Sequence, residues 1–346
     1  MRDFNKKAVR LRIPLAGNIE LTHRCNLRCV HCYVGDQTGP WANRDRELDT
    51  ARWKELIDEI TGAGCLFLLI TGGEPLLRKD FAEIYLYAKT RGLLIAVFTN
   101  GTLISEDILD LFTGFPPKAV EITLYGASKE TYERITGVKG SYQKCLQGIR
   151  RLIDRQINIK LKTILMELNR HEFFEIENMA KELGTKFRFD AALFPSLEGN
   201  KSPLGLRVSA EDAVDIELSD DGRLREWKDF FERMKELPVQ DTLYNCGAGL
   251  TSFHIDPYGT LKPCMMVAAP AYDLNNGSFK KGWSDVIPRI REKKAGAGNL
   301  CNLCKKRTLC GYCPGFFNME KGSEEVYSEY LCEMGQLRYE KINEVL

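Results

Sequence analysis

The sequence predicts an α/β protein, an open, partial barrel of six βα units followed by a small cysteine-rich α+β domain. Three observations carry that expectation. Six short apolar runs alternate with helical patterns between Gly17 and Phe194, the signature of parallel strands joined by crossover helices. Several of these runs are continuously apolar, as strands covered on both faces must be. Beyond Asn245 the chain turns into short pieces rich in cysteine and glycine.

The strands are expected at Asn18–Thr22, Cys65–Thr71, Leu93–Thr99, Ala119–Leu124, Ile157–Leu165 and Lys186–Ala191. The helical patterns between them cover Thr50–Thr61, Lys79–Arg91, Glu106–Phe112, Tyr142–Asp154 and His171–Leu183. Six such units make a partial (β/α)6 TIM-like barrel, whose chemistry belongs at the C-terminal ends of the strands. The first domain is read as residues 1–194 and a bridge as 195–243. The bridge is mostly helical over Ala210–Lys235, with a break at Ser219–Gly222. The cysteine-rich domain is read as 244–346. It holds a hairpin, Phe253–Asp256 with Thr260–Lys262 around Pro257-Tyr258-Gly259, and a final helix over Glu333–Val345.

Hydrophobic residues make up 44% and charged residues 28% of the chain, and the net charge is +1. Such a balance offers no overall field for nucleic acid or an anionic membrane. The N-terminus has no apolar core of signal-peptide length, and no run approaches a membrane span. A cytoplasmic protein is therefore expected.

Reduced cytoplasmic thiols at tight spacings read as metal ligands rather than disulfides. There are 12 cysteines, unevenly placed. Cys65 and Cys145 stand alone in apolar surroundings and are read as core. Cys25-x3-Cys29-x2-Cys32 forms a loop directly after the first strand. Three thiolates so close can hold one side of a [4Fe–4S] cluster and leave one iron for a substrate or cofactor. A zinc site completed by His23 or His31 is the competing reading. Gly72-Gly73-Glu74-Pro75 closes the second strand, with glycines where a ligand needs close access to the backbone.

Cys25, Cys29 and Cys32, the Tyr33 that follows, and Gly72-Gly73-Glu74-Pro75 together resemble the radical S-adenosylmethionine (SAM) superfamily. The resemblance implies that the open iron grips the amino and carboxylate groups of SAM, and that the Gly72–Pro75 stretch binds the same amino group. Thr99, Asn100 and Thr123, at the ends of the third and fourth strands, become further SAM contacts. Lys162 and Asn169 are weaker candidates, Lys162 being read rather as a solvated or ion-paired barrel residue. The implied chemistry is reductive cleavage of SAM to a 5′-deoxyadenosyl radical that removes hydrogen from an unactivated C–H bond.

The later cysteines, Cys246, Cys264, Cys301, Cys304, Cys310, Cys313 and Cys332, with Gly259 before Cys264, are similar to the SPASM extension of that superfamily. One residue fewer than usual precedes Cys313. The resemblance implies two auxiliary clusters, [4Fe–4S] in type. The inner one would sit on Cys246, Cys264 and Cys313. The outer one would sit on Cys301, Cys304, Cys310 and Cys332.

A peptide or protein side chain is the implied substrate class, giving a thioether, ether or C–C cross-link. The alternatives are a small molecule, such as a tetrapyrrole side chain or an aminosugar, and, in another class, a non-catalytic iron–sulfur or zinc protein. Sulfatase maturation is disfavoured by Met265 after Cys264, where those relatives carry Asp. The short stretch before the first strand leaves no room for a fused leader-peptide-binding domain, so such a partner would be a separate chain. Lys280–Arg307 holds nine Lys or Arg against two acids, a face suited to an acidic reductant of ferredoxin or flavodoxin type.

Overall fold

A computed structural model describes residues 2–35, 43–234, 241–296 and 299–344. Six parallel strands form the barrel wall: β1 (Ala16–Glu20), β2 (Phe67–Thr71), β3 (Leu94–Thr99), β4 (Ala119–Thr123), β5 (Ile159–Ile164) and β6 (Lys186–Asp190). Each lies within the run expected for it or within two residues of it. Helices α2 (Thr50–Gly62), α3 (Phe81–Thr90), α4 (Glu106–Gly114), α6 (Ser141–Asp154) and α7 (Phe173–Glu182) cover the outer face.

Side-chain caps start α2 and α4 sharply after their loops. Asp49 accepts from the Arg52 N–H and Ser105 from the Ile108 N–H, satisfying backbone donors that a helix leaves open. Two helices of the first domain escape sequence patterning, α1 (Arg2–Leu11) and α5 (Lys129–Thr136). The first is short and charged, and the second is a mostly polar segment capped by Ser128.

The main core packs Ile19, Leu68, Ile95, Val97, Ile122 and Leu161 against the helices, with Cys65 and Cys145 among them. β1 to β4 are the better-covered strands. β5 alternates buried and half-buried residues, and in β6 none is buried. The alternation of β5, visible in the sequence as INIKLKTIL, therefore marks a strand whose inner face opens on a cavity.

The chain beyond the barrel is not a separate lobe. Strand β7 (Ser252–Ile255) pairs in parallel with β1, and β8 (Thr260–Lys262) and β9 (Tyr272–Asp273) continue antiparallel. One nine-stranded sheet results, in the order β6-β5-β4-β3-β2-β1-β7-β8-β9. Gly17 makes the junction possible. A Cβ there would lie 2.4 Å from the ring of Phe253, its register partner on β7.

On the far side, the bridge supplies α8 (Ala210–Leu218) and α9 (Asp221–Met234), broken near the expected turn. After the short α10 (Phe279–Lys281), the chain ends in α11 (Pro314–Lys321) and α12 (Glu329–Glu344). Phe316, Phe317, Leu331 and Met334 pack on Leu165, Phe173, Ala191 and Val214 near the ends of β5 and β6. Arg207 bonds Glu320 at 2.7 Å, and Arg338 bonds Glu217 at 2.6 Å. The C-terminal third thus holds the barrel at both edges. The expected helix ends at Lys235 and Val345 lie outside the described residues. Among the described residues no helix is long and apolar enough to cross a membrane.

Candidate active site

The first cysteine loop is built before any ligand arrives. Its backbone is pinned to α5: Arg28 N–H donates to Thr136 O at 2.8 Å and Val30 N–H to Ile135 O at 3.0 Å. Cys25 Sγ accepts from Leu27 N–H at 3.4 Å and from Asn100 Nδ2 at 3.7 Å. Burial raises the Cys25 thiol to about 12, with Glu74 and Cys32 adding to the shift. Cys29 is raised further by burial and by the other two thiols, although Tyr125 donates to it. Two sulfurs so raised become thiolates only beside a positive centre, which is what a metal cluster supplies.

The glycine pair does more than open space for a ligand. Gly72 has φ of 134°, and a Cβ there would lie 2.2 Å from Thr22 O. A Cβ on Gly73 would lie 2.3 Å from Arg24 O and 2.5 Å from His23 O. Gly73 N–H donates to Thr22 O at 2.7 Å and Glu74 N–H to Arg24 O at 2.8 Å. The end of β2 is thus pressed onto the segment that leads to Cys25, and side chains would separate them.

Glu74 ties the ends of β2 and β3 together. Its carboxylate is buried and accepts from Asn100 N–H at 2.7 Å, Thr99 Oγ1 at 2.8 Å and Leu76 N–H at 3.1 Å. Burial outweighs these bonds and raises it to about 7. Pro75 opens the short turn that follows. Asn100 reaches back to Asn26 Oδ1 at 2.8 Å, so the ends of β2 and β3 and the cysteine loop form one network. Asn169 is also spent internally, bonding Tyr125 O, Ile164 O and Met166 N–H.

A second network was not read from the sequence. Glu20, at the end of β1, is buried and accepts from Tyr33 Oη at 2.6 Å and contacts His23 Nε2 at 2.9 Å. His254 Nε2, on β7, lies 3.5 Å from the same carboxylate. Burial alone would raise Glu20, but bonding to His23 and His254 holds it well below the usual carboxylate range. Glu20 follows the apolar Ile19, and the only hint of its role was an acid inside a buried strand. Its partner His254 is distant in sequence.

These elements surround a cavity of about 350 Å³ at the C-terminal end of the barrel. Cys25, Cys29, Cys32, Tyr33, Gly72, Gly73, Thr99, Asn100 and Thr123 line it, whereas Glu74 and Pro75 stand behind its wall. His31 also lines it, packed edge-on against Tyr125 at 4.9 Å and kept neutral by burial, which lowers it to about 4. Lys162 and Arg188 line the opposite side, and Met265 enters from the C-terminal third.

The later thiols influence one another in two groups. Cys313 is raised mainly by burial, then by Cys264 and Cys246. Cys310 is raised by burial, then by Cys301, Cys304 and Cys332. Gly335 lets α12 lie against Cys310, since a Cβ there would come within 2.5 Å of the Cys310 Cβ. Tyr312 bonds Leu243 O at 3.1 Å and stacks edge-on with Phe317, a packing arrangement. Among the described residues no three His, Cys, Asp or Glu groups converge as a site for a single ion.

Residues 19–180 match the radical SAM superfamily. These residues form a radical SAM domain. The chain is 25% identical over 85% of its length to the AdoMet-dependent heme synthase of Methanosarcina barkeri, covering 89% of that protein. It is 27% identical over 92% of its length to the subtilosin biosynthesis protein AlbA of Bacillus subtilis, covering 71% of it. Its fold is that of SuiB from Streptococcus suis, with a TM-score of 0.72 at 17% identity, over 96% of this chain and 81% of that one.

The donor set around this radical SAM domain fits SAM and an iron–sulfur cluster. The three thiols of the first loop open on one cavity, two of them oriented by neighbouring donors, beside a strand end that glycine keeps free of side chains.

Proposed function

We propose that this protein modifies a peptide side chain by radical chemistry. Cys25, Cys29 and Cys32 would hold the SAM-binding cluster. Cys246, Cys264 and Cys313 would hold an inner auxiliary cluster, and Cys301, Cys304, Cys310 and Cys332 an outer one. Bound on its cluster, SAM supplies a carbon radical able to remove a hydrogen atom from an unactivated position.

The observation that carries the reading is the convergence of the Cys25–Cys32 loop, Gly72-Gly73 and Met265 on one cavity of about 350 Å³. The roles of the chain's own groups follow from the geometry. Asn26 and Asn100 hold the cysteine loop, while Tyr125 and Leu27 N–H donate to its sulfurs. Glu74 locks the ends of β2 and β3 together. Tyr33, Phe98, Phe194 and Leu193 supply the apolar wall that keeps water from a reactive centre.

A peptide is favoured over a small molecule by a second cavity of about 390 Å³, at the open β6 edge. It is lined by Phe187, Phe189, Trp227 and Phe230 with Arg188, Arg223, Glu217 and Glu226. Arg188 lines both cavities, so an extended chain could occupy them together. AlbA, a bacteriocin biosynthesis protein, supports the same class. A carboxylated tetrapyrrole is the second reading, favoured by the heme synthase likeness over 89% of that relative.

Anaerobic reconstitution tests the proposal. Three cubanes amount to about 12 irons per chain, and dithionite with SAM should yield 5′-deoxyadenosine. Peptides encoded beside the gene should then show a mass change on a side chain. Iron uptake without any SAM cleavage would overturn the enzyme reading. SAM cleavage coupled to a tetrapyrrole, with every encoded peptide unchanged, would select the second reading.

A further inference from the structure

The floor of the barrel carries a cation for which the fold provides no anion. Lys162 sits on β5 in register with Thr123 on β4 and Arg188 on β6. Its Nζ lies 3.2 Å from the ring centroid of Phe98 on β3, and Arg188 lies 5.7 Å from the same ring. Among the described residues the Lys162 ammonium makes neither a hydrogen bond nor an ion pair. The acids beside it bond other groups. Glu121 on β4 holds Arg188 at 2.7 Å with one oxygen and Lys160 at 3.6 Å with the other. Asp190, at the end of β6, accepts from Ala192 N–H at 2.8 Å.

An ammonium half-buried against a ring is costly unless something offsets it. Burial, reinforced by Arg188, lowers Lys162 to about 7, with Glu121 opposing only weakly. Both Lys162 and Arg188 face the reaction cavity, across from the cysteine loop. A group that is unstable when empty and aimed into a substrate cavity is suited to an anionic visitor.

We propose that Lys162, backed by Arg188, seats a carboxylate of the substrate on the floor of the reaction cavity. The proposal rests on the enzyme reading above and adds a chemical class to it: the reacting molecule is an acid. Two sources share that chemistry, an acidic side chain of a peptide and the acid side chain of a tetrapyrrole. Binding is strongest when Lys162 is protonated. In the substrate-free protein that condition fails as pH rises through about 7, so affinity should fall roughly tenfold per pH unit above it.

The test uses reconstituted holoenzyme with SAM and two probe pairs, followed by calorimetry. One pair is acetyl-Ala-Glu-Ala-amide and its Gln counterpart. The other is coproporphyrin III and its tetraamide. At least one acid should bind tenfold or more tighter than its amide, and the responding pair identifies the source. Lys162→Met should erase that preference and Lys162→Arg should restore part of it. Because Met needs no counter-ion, Lys162→Met should also raise the melting temperature. Lys162→Gln serves as a second neutral variant if Met disturbs the floor.

Equal affinity for acid and amide in both pairs, or no binding of either acid, overturns the proposal. So does a loss of SAM affinity in Lys162→Met as large as the loss of acid affinity, since the ammonium would then serve the cofactor. Formation of 5′-deoxyadenosine by the same preparation tests the enzyme reading independently.

Discussion

The two sets of cysteines are built in opposite ways. The first loop follows a central strand, and its sulfurs receive bonds from Asn100, Leu27 and Tyr125. Its path is fixed by α5 and by the glycines of β2. In the second set Cys246, Cys304 and Cys332 are exposed. The segment from Asn299 to Cys313 is made of turns, with Leu300 77% and Leu303 80% exposed. The difference teaches that a metal site can be prepared by a fold or can itself be the fold. The barrel buries enough apolar area to place three thiols without help. The turns of the C-terminal third bury little, and metal ligation has to provide much of their order.

Removing the first set should have the largest effect. Cys29→Ala should abolish 5′-deoxyadenosine formation and lower iron content by about 4 atoms, leaving the auxiliary absorbance in place. Loss of all iron from that single change would mean that the two regions assemble as one. Chelation of the iron should next separate them by hydrogen exchange. Residues 299–313 should exchange freely, because a structural metal site is worth on the order of 10 kcal/mol to its fold. Strands β1 to β4 should stay protected, and equal loss in both regions would erase the contrast.

Glu74 sharpens the comparison at intermediate size. Its carboxyl is raised to about 7 in the folded protein, chiefly by burial. The folded state therefore holds a proton that the unfolded chain releases near 4.5. Stability of the iron-free protein from this group is complete at low pH and is lost as pH rises through about 7. The total is about 3 kcal/mol at ~1.4 kcal/mol per unit. Denaturation of wild type and Glu74→Gln between pH 5 and 8 checks this, and the variant should lack that slope. The smallest effect concerns the outer turns. Reversing Lys305, Lys306 and Arg307 to Glu should slow reduction by an acidic flavodoxin on the order of tenfold at low salt. That difference should shrink as salt rises, and an unchanged rate would remove the basic face from electron delivery.

Much of the fold was legible because barrel strands announce themselves locally. CLFLLIT and LLIAVFT can only be buried strands, and the loops after them carry Gly72-Gly73 and Asn100-Gly101. Side-chain roles were less legible. Thr99 and Asn100 line the cavity, and only the structure shows that they also bond Glu74 and the cysteine loop. Asn169 likewise closes its own loop. Lys162 was expected to be solvated or paired; it is half-buried against Phe98 and unpaired, since the acids beside it, Glu121 and Asp190, bond other groups.

The sequence by itself determined the inventory of closely spaced sulfurs, proposed here as cluster ligands, and the strand ends on which the first of them stand. Spacings of two to five residues confine thiols to one loop whatever the rest of the chain does. Only the tertiary structure decided that β7 would join β1 and bring His254 to Glu20, 234 positions apart. It also decided that α11 and α12 would close on the far edge and that the Lys162 ammonium would be left facing a cavity. Those outcomes depend on which distant surfaces bury each other, and no local pattern of residues encodes that choice.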